Sequence, residues 1–175
     1  VNNLTPQGVA QSVERFAAAL RDTQILFLPG GFSGGDEPDG SAKFITAFLR
    51  NPLISDEIAN LLQARGGLIG GICNGFQALV KLGLLPFGEI REPDAHAPTL
   101  TYNLIGRHQS RLARTRVCSA LSPWLSLHRV GDVRLAPISH GEGRFIIEDA
   151  LLAALAQNGQ IAAQYVDLND KATMD

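Results

Sequence analysis

The sequence predicts an α/β sandwich whose second half is more antiparallel than its first, and three observations carry that expectation. Short apolar runs at Gln24 to Leu28 and at Leu68 to Ile72 are too short for helices and each leads into a sharp, glycine-marked turn. Between and around them lie segments with helical apolar spacing. Beyond Pro86 the helical periodicity gives way to strand-like runs. The 175 residues set the scale: one domain with enough chain to bury a real core.

The elements follow in order. Thr5 suits a cap and Pro6 a first helical position, and Val9, Val13, Phe16, Ala17 and Leu20 recur on one helical face, so residues 6–20 are expected to be a helix. The Gln24 to Leu28 run is expected to be a parallel strand buried on both faces. Its carboxyl end opens into Gly30-Gly31-Phe32-Ser33-Gly34-Gly35-Asp36-Glu37-Pro38-Asp39-Gly40, and open α/β sheets bind ligands at such ends. Ser41 to Arg50 reads as a helix stopped by Asn51-Pro52, and Ser55 reads as the cap of a helix ending at Gly66-Gly67. Leu68 to Ile72 is the second buried strand, running through Cys73 into a helix that stops at Gly83. Strands are then expected at residues 99–105, 114–119, 132–139 and 144–147, a helix at 149–157 and a last strand at 160–166.

Composition narrows the function classes. Hydrophobic residues make up 45% and charged residues 18%, which favours a globular chain over a disordered one. With 15 Lys plus Arg against 17 Asp plus Glu, the net charge of −2 argues against a dedicated nucleic-acid binder. No apolar run approaches the roughly 18 residues of a membrane helix. Cys73 and Cys118 are too few for a disulfide framework and lack zinc-site spacing, so a reducing, cytoplasmic setting is expected. The start Val1-Asn2-Asn3-Leu4 has neither an initiator Met nor a targeting pattern and suggests a processed or excised piece.

The sharpest chemical signal is Gly71-Ile72-Cys73-Asn74-Gly75, a thiol version of the nucleophile elbow. A nucleophile on a tight strand-to-helix turn has a strained backbone, and side chains two residues either side would collide, hence the glycines. A helix N-terminus also favours thiolate over thiol. The plainer alternative is a buried core cysteine. Of the four histidines, His96, His108, His128 and His140, the last is the best base, because it follows a strand and has Glu142 two residues on. Positions i and i+2 share a face in extended chain, so that carboxylate is placed to hold the imidazole's tautomer and to stabilise imidazolium. The alternative is a surface histidine that merely bonds a carboxylate.

The glycine loop has neither the Gly-Lys-Ser/Thr nor the G-x-G-x-x-G spacing of a nucleotide cradle. Asp36, Glu37 and Asp39 read as solvated turn formers rather than metal ligands, and no metal is expected. Gly30-Gly31-Phe32 are better suited to presenting N–H groups toward Cys73, forming an oxyanion hole with the N–H of Asn74. Residues 107–134 hold six arginines against one acid, Asp132, which suits either an acidic partner or a solvated strand face.

The glycine loop, cysteine elbow and His-x-Glu, in that order, resemble the class I, triad-type glutamine amidotransferases. Leu28 to Asp36, Gly71 to Leu79, Ser139 to Phe145 and Gln164 to Asp167 are similar to the glutaminase part of the phosphoribosylformylglycinamidine synthase family. The resemblance covers nearly the whole chain. It implies a flavodoxin-like open, mostly parallel sheet with helices on both faces and some antiparallel strands in the second half. It also implies glutamine hydrolysis through a γ-glutamyl thioester, with Cys73 as nucleophile, His140 as base and then acid, Glu142 as its partner, Gly31 and Asn74 as oxyanion donors, and Gln77 as a glutamine contact. An ordinary exposed helix residue is the alternative for Gln77. The implied partner is an ATP-dependent synthetase domain of the same polypeptide, holding ATP and Mg, which turns formylglycinamide ribonucleotide into the amidine in purine biosynthesis; this domain itself is expected to hold no cofactor.

Residues 1–175 are thereby expected to form one glutaminase domain that lacks the family's opening strand-helix-strand and C-terminal tail. Two other readings compete. A cysteine-elbow peptidase or deglycase would not need the His-x-Glu pair, and a catalytically silent regulatory domain would not need to keep Cys73, His140 and Glu142.

Overall fold

A computed structural model describes residues 1–31 and 42–173, and the chain forms two compact units, residues 1–99 and 100–175. The first unit holds helix α1 (Pro6–Arg21), strand β1 (Ile25–Leu28), helices α2 (Lys43–Leu49) and α3 (Pro52–Ala59), a π-helical turn at Asn60–Ala64, strand β2 (Leu68–Gly71), and helices α4 (Asn74–Lys81) and α5 (Leu84–Phe87). The second holds β3 (Thr99–Thr101, whose first residue closes unit one), β4 (Gln109–Val117), a 3-10 turn at Pro123–Leu125, β5 (Val133–His140), β6 (Arg144–Ile146), α6 (Asp149–Gln157) and β7 (Ala163–Tyr165).

In unit one, α1 starts where its sequence directs: Thr5 Oγ1 accepts the Gly8 N–H at 3.0 Å and Pro6 occupies the first turn. Val13, Ala17 and Leu20 are buried, and Phe16 meets the Phe48 ring edge-on at 5.4 Å between centroids. The other end of α1 is held by Arg65, whose guanidinium donates to the carbonyls of Leu20, Arg21 and Thr23 at 2.6–3.0 Å, a cation on the negative end of a helix. Strands β1 and β2 run parallel, pairing Ile25 with Leu68, Leu26 with Ile69, Phe27 with Gly70 and Leu28 with Gly71. Leu26 and Leu28 join Leu49, Ile54, Ile58, Leu61, Leu79 and Leu82 in the core. Each such leucine or isoleucine contributes about 1.5–3 kcal/mol by leaving water.

Two local expectations are corrected here. Asn51-Pro52 does not merely stop α2; it opens α3, with Asn51 Oδ1 accepting the Leu53 N–H at 3.1 Å, so the cap is Asn51 and Ser55 lies inside the helix. Proline has no N–H to lose at a first helical position, which makes the same dipeptide both terminator and start. And β1 buries one face: Ile25 and Phe27 are 50% and 48% exposed. A run of four apolar residues has no measurable period, so one-face and two-face burial look alike in sequence.

Unit two is antiparallel in its registered pairs. The long β4 pairs β5 from Gln109 opposite His140 to Arg116 opposite Val133, and pairs β7 on its other edge from Thr115 opposite Tyr165 to Val117 opposite Ala163. The sheet order is β5-β4-β7, with β3 and β6 forming a separate pair. The chain is thus a mixed α/β fold with open sheets. The start of β4 at Gln109 rather than Arg114 reflects its partner: the polar His108-Gln109-Ser110 stretch has little strand propensity, and the register with residues 138–140 recruits it.

Candidate functional site

Each unit presents a group capable of chemistry. In unit one β2 ends at Gly71, and the Ile72 N–H extends the ladder by donating to the Leu28 carbonyl at 3.1 Å. The chain then reverses over two residues: the Gly75 N–H donates to the Ile72 carbonyl at 3.0 Å, and the first bond of α4 runs from the Gln77 N–H to the Cys73 carbonyl at 3.0 Å. Cys73 stands at the N-cap with φ 54° and ψ −117°, a conformation that costs an L-residue about 1–3 kcal/mol. Its side chain is exposed. A core cysteine would be neither strained nor exposed, so the buried-cysteine alternative is excluded.

The flanking glycines are required by backbone contact. A Cβ on Gly75 would run into the Leu28 carbonyl, and one on Gly71 would lie 2.7 Å from the Gly75 carbonyl group. Gly30 belongs to the same constellation, since a Cβ there would sit 2.9 Å from Cys73 Cβ and 3.7 Å from its Sγ. The loop after β1 therefore begins against the thiol. Gly31 follows with φ +117°, a backbone shape that L side chains rarely adopt. The rest of the loop, with Phe32, Asp36, Glu37 and Asp39, lies outside the described residues. Asn74 and Gln77 are buried, at 4% and 9% exposure. Gln77 is therefore not an ordinary exposed helix residue.

In unit two β5 delivers His140 to its own carboxyl end. The ring's Nδ1 lies 3.0 Å from Asn103 Oδ1, which also accepts the Gly143 N–H at 3.0 Å. Asn103 Nδ2 donates to the carbonyls of His140 at 2.8 Å and Arg107 at 3.0 Å, and the Asn103 N–H donates to the Gly141 carbonyl at 2.9 Å. Gly143 lies so close beneath the imidazole that any Cβ would overlap the ring. Burial pushes the His140 pKa below its ordinary value of 6.5, and the neighbouring His108 pushes it the same way. His108 is itself tied to the strand by a 3.0 Å contact between Nε2 and Ser139 Oγ. Glu142 lies in the turn between β5 and β6.

The sequence reading did not find Asn103. The signal was present: asparagine is a poor strand residue, and it interrupts the stretch 99–105 that otherwise reads as one strand. Three of the six arginines between residues 107 and 134 are engaged within their own unit. Arg114 meets Asp170 at 2.6 Å, Arg116 donates to the Asp170 carbonyl at 2.8 Å, and Arg134 meets Asp132 at 3.2 Å. Among the described residues no cluster of three or more His, Cys, Asp or Glu is arranged to hold a metal, and no helix is long and apolar enough to cross a membrane.

A strained cysteine on a glycine-packed strand-to-helix turn, in an open α/β fold, defines a class of thiol-nucleophile proteins. Comparison with known proteins narrows it. The chain belongs to the CobB/CobQ-like glutamine amidotransferase domain family, whose model matches residues 3–175. It is 37% identical over 148 residues to the phosphoribosylformylglycinamidine synthase subunit PurQ of Synechococcus elongatus, covering 85% of this chain and 59% of that protein. It is 38% identical over 149 residues to the subunit of the same name from Symbiobacterium thermophilum, covering 85% and 56%. The solved structure of PurLQS from Thermotoga maritima superposes with a TM-score of 0.62 at 29% identity, over 83% of this chain and 57% of the other. The chain thus spans less than three-fifths of these relatives.

Proposed function

We propose that this chain is the glutaminase portion of a phosphoribosylformylglycinamidine synthase. The observation that carries the chemistry is the exposed Cys73 held at φ 54° by an elbow whose glycines touch backbone. The relatives named for that synthase support the assignment of substrate and pathway.

In the proposed reaction the Cys73 thiol gives its proton to His140 and its sulfur attacks the side-chain amide carbon of glutamine. Main-chain N–H groups of Gly31 and Asn74 stabilise the oxyanion. His140 returns the proton to the leaving nitrogen, ammonia departs, and a γ-glutamyl thioester remains. Water, deprotonated by His140, then releases glutamate and restores the thiol. Glu142 stabilises the imidazolium in each half-reaction, and Gln77 contacts the glutamine. Ammonia passes to an ATP-dependent synthetase partner, a domain of the same polypeptide, which binds ATP and Mg and amidates formylglycinamide ribonucleotide. The reaction is assigned to the cytoplasm.

A diazoketone analogue of glutamine tests the core of this reading. One equivalent should alkylate Cys73, located by peptide mass spectrometry, with parallel loss of glutaminase activity. Labelling at another residue, or glutamine turnover that survives complete labelling, overturns it.

The two triad partners of Cys73 should differ in weight. His140→Ala should lower kcat by about 10²–10⁴-fold, the range of a general acid–base group, and Glu142→Ala by less, because it acts only through the imidazolium. Steady-state assays that put the larger loss at Glu142 would reverse these roles.

The lowered pKa of His140 sets the pH dependence. The base acts when neutral, so the acid limb of kcat/KM should fall below pH 6.5. A charge on His108 opposes a second charge on His140. Removing it in His108→Gln raises the His140 pKa, so the acid limb should move up toward 6.5. An unmoved or downward-shifted limb would show that His140 does not govern it.

A further inference from the structure

We infer that Asn103 is a positioning residue that fixes the tautomer of His140, holding the proton on Nδ1 and leaving Nε2 as the basic nitrogen. The inference rests on the proposed role of His140 as base, but its physical content is independent of it. The orientation of the Asn103 amide is dictated by three backbone groups whose hydrogen-bonding sense cannot change. The Gly143 N–H can only donate, and it points at Oδ1 at 3.0 Å. The carbonyls of His140 and Arg107 can only accept, and both face Nδ2, at 2.8 and 3.0 Å. The Asn103 N–H, donating to the Gly141 carbonyl at 2.9 Å, pins the residue's own backbone to the same turn. A flipped amide would set an NH₂ against an N–H and an oxygen against two carbonyls.

With Oδ1 committed as an acceptor, the imidazole nitrogen 3.0 Å away must carry the hydrogen. Nδ1–H donates, and the lone pair lies on Nε2. A general base needs that arrangement, since a ring protonated at the wrong nitrogen presents an N–H where a lone pair must accept. Glycine at 143 is part of the device: the ring lies against its Cα, and only a residue without a Cβ lets its N–H reach Oδ1 from there. Because the acceptor is a neutral amide, it selects the tautomer without an ionic pull that would raise the pKa, and the His140 pKa is indeed lowered. The amide thus fixes which nitrogen is basic, and the proposed work of Glu142 is to stabilise the imidazolium once it forms.

The decisive measurement is the ¹⁵N spectrum of histidine-labelled full-length protein at a pH where the ring is neutral, with His140 identified by its loss in His140→Gln. The expected result is a protonated Nδ1 and an unprotonated Nε2 in the parent protein. Asn103→Ala should shift the ring toward the Nε2–H form and lower kcat by at least about tenfold with KM little changed, since only the proton-transfer geometry is lost. Asn103→Asp keeps an acceptor for Nδ1–H but sets a second oxygen against the carbonyls of His140 and Arg107, so it should retain the parent tautomer while losing stability and part of the activity. A His140 ring protonated on Nε2 in the parent overturns the inference. So does an Asn103→Ala variant with unchanged tautomer, or a folded Asn103→Asp variant whose ring has moved to the Nε2–H form. A parent ring with the expected tautomer in a protein without glutaminase activity would instead refute the proposed function and leave the Asn103 contact standing.

Discussion

Replacing Cys73 with alanine is expected to abolish glutamine-dependent synthesis while leaving ammonia-dependent synthesis by the assembled enzyme intact. In the proposed reaction the thiol serves only to release ammonia, and the proposed synthetase consumes ammonia whatever its source. In that proposal the attacking atom is Cys73 Sγ, on the residue the elbow holds at φ 54° at the N-cap of α4. Covalent catalysis without its nucleophile falls by orders of magnitude. Cys73→Ser should also be poor, since a hydroxyl served by a base poised for a thiol is a weaker nucleophile. Parallel assays with glutamine and with ammonium salt measure both arms. Loss of both activities in folded Cys73→Ala protein would refute the division of labour between this chain and a synthetase.

The largest effect on folding is expected from Gly75→Ala. Its new Cβ would overlap the Leu28 carbonyl and approach the Leu28 Cβ to 2.8 Å, so the obstacle is mainly the backbone of a strand whose side chain lies in the core. A flexible side chain could swing away. A strand carbonyl that already accepts the Ile72 N–H cannot move without breaking the β1–β2 ladder. Overpacking of this kind costs about 3 kcal/mol or more. Denaturant titration should show a lowered midpoint with an unchanged slope. Gly66→Ala is the control: nothing lies within 4 Å of its Cβ position, so it reports only the strain of a positive φ. Equal destabilisation by the two substitutions would mean that close approach at the elbow is not what requires Gly75.

Much of the site was legible in the sequence because its constraints are local. The elbow is a five-residue pattern, and each of its glycines answers to a contact within that turn or its neighbouring strand. His140 was legible as lying at the carboxyl end of a strand, and α6 spans the expected Asp149–Gln157. Asn103 was not legible as the partner of His140, because 37 residues separate them and only the β3 to β4 connection brings them together. Asp170 likewise neutralises Arg114 from 56 residues away.

The sequence by itself therefore determined the kinds of elements, the helix cap at Thr5, the turn glycines and the strained setting of Cys73. Those features depend on chain geometry within a few residues, where sterics leave few choices. Only the tertiary structure decided that β1 buries a single face, that Asn74 and Gln77 are buried, and that an amide rather than a carboxylate meets Nδ1 of His140. Each of these depends on which distant segment packs alongside. A one-residue change of register would have sent each strand's side chains to the opposite face, and that choice is made by the whole core rather than by any short stretch of it.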